Sequence, residues 1–189
     1  MESEIIRNSI EKEEIQLNIL EKLIHYRLSI LTFIIATFCC LSSYNNLMNF
    51  KSNLLEANFK IGLFLLVICL ISFAFQKKKL KLKLWKLSDN KINVFENVIE
   101  IAKMKNWEIE FKNEKALILK TYRPFSSSRY FISKSFGEKI FIFKKHNNIL
   151  FKSIYDLNRS SSFVVSNGEN NENEMYIMNI IKPTANTRF

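Results

Sequence analysis

LSILTFIIATFCCLSSYNNL at residues 28–47 and IGLFLLVICLISFAF at residues 61–75 decide how this chain is read. Neither stretch contains a charged residue, and the first uncharged run continues to Phe50, between Arg27 and Lys51. The hydrocarbon core of a bilayer takes roughly 20 apolar residues in helical form. Residues 28–47 meet that length. Residues 61–75 reach it only if their helix starts earlier, through Leu54, Leu55, Ala57 and Phe59, with Glu56 and Lys60 extending toward the headgroups. A soluble helix this long shows a polar face, and neither stretch has one. The expectation is a transmembrane hairpin. A secretory signal does not fit, because the apolar run starts only at residue 28, follows a long charged segment and lacks a small-residue cleavage site.

Whole-chain averages hide this segregation. A chain of 189 residues that is 48% hydrophobic, with a mean hydropathy of -0.03, would pass for an ordinary soluble protein. Orientation comes from the lysines. QKKKLKLKLWK, at residues 76–86, places Lys77, Lys78, Lys79, Lys81, Lys83 and Lys86 directly after the second span, whereas only Lys51 and Lys60 lie between the spans. The positive-inside bias then puts both termini in the cytoplasm of a multi-pass inner-membrane protein, and Arg7, Lys12, Lys22 and Arg27 agree. The basic run reads in two ways. As a helix it stacks Leu80, Leu84 and Leu87 and sets Trp85 at the membrane interface; as a strand it alternates leucines with lysines. The helix is the expected reading, with Lys77, Lys78, Lys79, Lys81, Lys83, Trp85 and Lys86 facing anionic lipid.

The remaining boundaries follow from composition. Residues 1–27 form a cytoplasmic segment, helical over 5–26, that covers the chain's own domain or meets another copy; residues 28–76 are the hairpin, with spans at 28–47 and about 57–76; residues 77–87 are a basic juxtamembrane linker; residues 88–183 are a cytosolic β-rich domain, and 184–189 a tail. In that domain Ile92, Phe95, Ile99 and Ala102 predict a helix over 91–105. Trp107, Ile109 and Phe111 alternate with Glu108, Glu110 and Lys112 as a half-buried strand, which pairs across Asn113 and Glu114 with KALILKTY. EKIFIFKK and ILFKSIYDL flank His146, Asn147 and Asn148 as a second hairpin, the asparagines supplying positive φ. Short strands are expected at Tyr130–Ile132 and Phe163–Val165, and a closing helix carries Met175, Ile177, Met178 and Ile181. The fold class is thus a membrane protein with an N-terminal α-helical transmembrane hairpin and a C-terminal α+β domain with a small antiparallel sheet, open or barrel-like.

Chemistry-bearing patterns are sparse. Cys39, Cys40 and Cys69 lie inside the apolar stretches, where a thiol serves as a small filler, and His25 and His146 show no metal-ligand spacing, so neither a metal nor a cofactor is expected. Three glycines cannot make a phosphate loop. Glu110 and Lys120 suggest a carboxylate–lysine nuclease site without its second acid, and the expected reading is no enzyme. For ligand binding, residues 88–189 hold 16 Lys and Arg against 11 Asp and Glu. Lys120, Tyr122, Arg123, Arg129 and Tyr130 place cations and aromatic faces around a serine-rich loop, suited to stacking on a base and clamping phosphate, or simply to lying beside anionic lipid.

Two resemblances add expectations. SFGEKIFIF at 135–143, KSIYDL at 152–157 and SNGENNENEMYI at 166–177, preceded by WEI at 107–109, resemble a small cytosolic α-β domain that recurs in compact membrane proteins of Bacteroidetes-type bacteria, a family that brings no catalytic residues with it. By layout alone, two membrane helices before a β-rich domain resemble the membrane effectors of cyclic-oligonucleotide anti-phage signalling (CBASS). That resemblance implies a cytosolic domain that senses a cyclic nucleotide or oligonucleotide, with no duplex nucleic acid bound, and helices that form homo-oligomers and breach the membrane. The alternative is a membrane-anchored scaffold that recruits a cytosolic partner.

Overall fold

The computed structural model describes residues 2–48, 52–87, 93–121, 137–157 and 168–181. In chain order the elements are α1 Glu2–Lys12, α2 Ile19–Met48, α3 Ser52–Lys79, β1 Lys83–Lys86, α4 Val94–Met104, β2 Glu108–Lys112, β3 Ala116–Lys120, β4 Glu138–Lys145, β5 Asn148–Tyr155 and α5 Glu169–Ile181. They form two compact units, one of Leu17–Lys79 and one of Met1–Gln16 with Leu80–Phe189.

The first unit is the antiparallel hairpin of α2 and α3. Its two helices are long and apolar enough to cross a membrane by length and composition, over Ile19–Ser43 and Ala57–Lys79. Small residues let the helices approach. Ala36 is fully buried, and a Cβ on Gly62 would come within 2.7 Å of Cys40 Sγ. Polar side chains bond across the seam, to one another and to the backbone of the facing helix. Ser29 Oγ donates to Gln76 Oε1 at 2.7 Å and lies 2.8 Å from Ser72 Oγ, Cys69 Sγ donates to Ser29 O at 3.2 Å, and His25 Nε2 donates to Gln76 O at 2.9 Å. Phe38, Leu41, Phe64, Leu70 and Phe75 face outward.

The second unit is built on a five-stranded, wholly antiparallel sheet in the order β1-β5-β4-β3-β2. Among the described residues it is open, with β1 and β2 at its edges, and the expected closure into a barrel is not seen. Both faces are covered. Leu117, Leu119, Ile140, Ile142, Ile149 and Phe151 meet Val98, Ile99 and Ala102 of α4 and Ile177 of α5. Ala116, Phe143 and Leu150, pointing the other way, meet Ile6 of α1. Strands buried on two faces read as continuous apolar runs, which is why Ile140–Phe143 and Ile149–Phe151 show no polar alternation.

Several expectations are corrected. The helix over 5–26 is two helices, because Asn18 and Glu21 form a reciprocal cap at the start of α2: Glu21 N donates to Asn18 Oδ1 at 2.8 Å and Asn18 N to Glu21 Oε2 at 3.0 Å. Upstream, Glu13 takes a φ of 52°, and Gln16 N donates to Ser9 Oγ at 2.9 Å. The segment between the helices is tied to the chain that follows α3. Ile15 N donates to Leu80 O and Leu82 N to Glu13 O, each at 2.9 Å, around a Glu14–Lys81 bridge. Of the two roles open to the N-terminal segment, covering its own domain is the one α1 performs. The basic run is helical only through Lys79; Lys83–Lys86 is a strand, because the free edge of β5 supplies backbone partners from Lys83↔Phe151 to Lys86↔Asn148.

In the β4–β5 turn His146, with a φ of 53°, takes the left-handed conformation expected of the asparagines. The predicted alternation in β2 is broken by a bulge between Ile109 and Phe111, so Trp107 packs with the α4–α5 side and Phe111 with the α1 side. The expected α4, the β2–β3 and β4–β5 hairpins and the closing α5 are present. The strands expected at 130–132 and 163–165 lie outside the described residues.

Candidate functional site

Of the five residues singled out as a ligand patch, Tyr122, Arg123, Arg129 and Tyr130 lie outside the described residues. Lys120, at the end of β3, pairs with Glu110 Oε1 at 2.9 Å, and Lys139 of β4 reaches the same oxygen at 3.0 Å. Burial by itself would raise the Glu110 carboxyl, but the two lysine hydrogen bonds outweigh it and hold the group below its ordinary value. The pair imagined as a nuclease-like site is therefore brought together, as a carboxylate shared by two lysines. Among the described residues no group of three metal-ligating side chains converges.

The residues expected to face lipid divide by position. Lys77, Lys78 and Lys79 form the last turn of α3. Lys81 is part of the bridge to Glu14, Lys83 is ion-paired with Glu174, Trp85 packs against the α4–α5 core, and Lys86 ends the edge strand β1.

Glu138, Ser153, Asn170, Asn173 and Glu174 meet Thr121 in a buried polar cluster that seats α5 on the sheet. Thr121 Oγ1 donates to Glu138 Oε2 at 2.6 Å and accepts from Glu138 N at 2.8 Å. Asn173 Nδ2 donates to Glu138 Oε2 at 3.5 Å and to Ser153 Oγ at 3.4 Å, and Ser153 Oγ donates to Asn170 Oδ1 at 2.8 Å. Gly137, with a φ of 121°, lies so close to Thr121 that a Cβ there would overlap the Thr121 carbonyl. Glu174 completes the cluster: Oε1 accepts from Ser153 N at 3.2 Å and from Lys152 Nζ at 3.0 Å, and Oε2 pairs with Lys83 without a directed hydrogen bond. Most of these groups bond to one another and not to solvent, which marks the cluster as a clamp.

A binding-sized space occurs elsewhere in this unit. A groove of about 810 Å³ runs between α1 and the two hairpin tips, lined by Glu4, Ile6, Arg7, Ile10 and Glu11 from the helix, by Asn113 and Lys115 from the β2–β3 turn, and by Lys144, Lys145 and His146 from the β4–β5 end. Asn113 Oδ1 accepts from Lys115 N at 2.8 Å and Ala116 N at 2.6 Å, which fixes the first tip. Lys145 is held by Glu13 Oε1 at 2.7 Å. Arg7, Lys115 and Lys144 are exposed and form no ion pair among the described residues. Sequence reading missed this groove because its cations are scattered over residues 7–144 and gather only when α1 folds back on the sheet.

No protein family, no curated protein and no solved structure matches the chain.

Proposed function

We propose that this protein is a membrane-anchored binding protein. Its α2–α3 hairpin resides in the bilayer, and its α+β unit recruits a ligand or partner on the cytoplasmic side, working by binding and not by catalysis. One observation carries the reading: the outward surfaces of both helices are apolar over residues 28–41 and 61–75, with Phe38 71%, Phe64 65% and Leu70 68% exposed. Leaving such a side chain in water instead of burying it forgoes roughly 1.5–3 kcal/mol each, and contiguous apolar surface of this kind marks a site that something apolar covers. The lysines in the last turn of α3, Lys77, Lys78 and Lys79, support the cytoplasmic placement.

The membrane-breaching effector reading asks for several copies assembled around water. Thr32 and Thr37 commit their hydroxyls to their own helix, at Leu28 O and Phe33 O, while Ser29 and Ser72 bond across the seam. Among the described residues the outward faces therefore present assembled copies with an apolar lining, which favours the anchor. Carbonate washing of membranes from expressing cells tests it. The protein is expected to stay in the pellet, and Leu70→Arg to reduce its insertion, since an arginine at a span centre costs about 2.5–3.5 kcal/mol. Release of the unaltered chain into the supernatant would refute the anchor, and growth arrest with dye entry on expression would favour the effector.

A further inference from the structure

The two faces of the sheet are covered to different depths. On one face α4 buries Val94, Val98, Ile99 and Ala102, and α5 adds Ile177 and the Glu174 and Asn173 bonds. On the other, α1 buries one apolar side chain among its described residues, Ile6, against Ala116, Phe143 and Leu150. Ile10 joins it only in part, and Leu82, Phe111 and Phe141 of the same apolar floor stay partly exposed. Ser3, Glu4, Arg7, Glu11 and Lys12 are exposed, and the groove of about 810 Å³ runs along the flank of the helix. Isolated helices shorter than about 12–15 residues are marginal in water, and α1 has 11, so its seat is what keeps it helical.

The chain changes character at Glu13. Ile15 is buried and its N–H donates to Leu80 O, while Leu82 N donates to Glu13 O, so Glu13–Gln16 is fixed to the segment that leads into β1. Glu13 itself takes a left-handed φ of 52°, a conformation that costs a residue with a Cβ. Its side chain pairs with Lys145 in a partly exposed ion pair, the kind that adds little. Before it, α1 is closed back through Ser9, whose O accepts from Glu14 N at 3.2 Å and whose Oγ accepts from Gln16 N at 2.9 Å. A thinly buried helix joined to a fixed segment by a strained residue is what local opening selects.

We propose that α1 is a displaceable cover that swings about Glu13 and yields the Ala116–Phe143–Leu150 face to an amphipathic helix of a cytosolic partner protein. This builds on the reading of the α+β unit as a binding domain and names its docking face and the class of partner. The resident helix shows what fits: aliphatic side chains at the i, i+4 spacing of Ile6 and Ile10. With α1 in place Ala116, Phe143 and Leu150 are at most 1% exposed, so cover and partner exclude each other. A partner helix that also covers Leu82, Phe111 and Phe141 buries more of the floor than α1 does, and that difference is what shifts the equilibrium toward the open form.

The test uses the full chain in nanodiscs and, as probe, a fluorescent peptide of residues 2–12. In the unaltered chain, amides of α1 are expected to exchange about a hundredfold or more faster than those of β4 and β5. Glu13→Pro fixes φ at about −65° and cannot hold the closed path, and Ile6→Asp unseats the helix. Each is expected to bind the peptide about tenfold or more tightly than the unaltered chain does, and a peptide carrying both Ile6→Asp and Ile10→Asp is expected not to bind. Trp85 and Trp107, on the opposite face of the sheet, report whether each variant is folded, and the exchange measurement needs no variant. Exchange of α1 as slow as that of β4 and β5, or a folded variant that binds the peptide no better than the unaltered chain, overturns the proposal. Either result leaves the anchor standing, because carbonate extraction reports it separately.

Discussion

Glu174→Ala tests most directly how α5 is held to the sheet. β1 pairs with β5 only as far as Lys83↔Phe151, so beyond that point the Ser153 N–H meets no neighbouring strand among the described residues, and the Glu174 carboxylate serves as its acceptor. Removing it orphans a buried donor, at about 1–3 kcal/mol. It also strips the partner from Lys152, whose side chain is 18% exposed, and from Lys83, whose side chain is 48% exposed and returns to water at little cost. Together these place Glu174→Ala at about 3 kcal/mol, the lower end of the range for breaking a buried pair. Glu174→Gln keeps an oxygen for Ser153 N and loses only charge, at about 1–2 kcal/mol, and Lys83→Met falls below about 1 kcal/mol. Urea unfolding of the full chain in micelles, followed by tryptophan emission, measures all three. Trp85 and Trp107, the two tryptophans of the chain, both pack against the α4–α5 side of the sheet and report on this unit. A Glu174→Ala midpoint equal to wild type, or a Lys83→Met loss as large as that of Glu174→Ala, would refute the edge-capping role.

Gly137→Ala must move the backbone carbonyl of Thr121 and hold alanine at a φ of 121°, so a loss above about 3 kcal/mol is expected in the same assay, whereas Gly168→Ala, with open space around it, loses about 1–2 kcal/mol from its φ of 110°. The pH dependence follows from Glu110. Its folded value lies below the ordinary carboxylate value, so its contribution is fully present above the unfolded value of about 4.3 and is lost as pH falls through the folded one. Glu110→Gln is expected to flatten the acid limb of the stability profile, and an unchanged limb would show that the lysines do not stabilise the carboxylate.

How much of this was legible in advance depended on the range of the interactions. The two apolar stretches announce themselves because twenty adjacent residues without charge need no partner to be interpreted. The β4–β5 hairpin was equally plain, since its turn and strands are contiguous. Asn18 and Glu21 carried a local signal that was overlooked: the i, i+3 capping pattern that ends the presumed 5–26 helix and starts α2. The candidate site was hardly legible at all. Lys120 was drawn into a patch by its neighbours in the chain, yet it pairs with Glu110 of another strand.

The sequence by itself determined the apolar hairpin, the basic flank, α4, two β-hairpins and the closing helix, because each is set by side chains within one or two turns of one another. Only the tertiary structure decided that the lysine–leucine run becomes the edge strand β1, that α1 covers the second face of the sheet, that the sheet stays open, and that Arg7 shares a groove with Lys115 and Lys144. The physical reason is common to all four. Each depends on a backbone edge or an apolar face offered by residues far away in the chain, and local propensity is too weak to outweigh such partners once they are present.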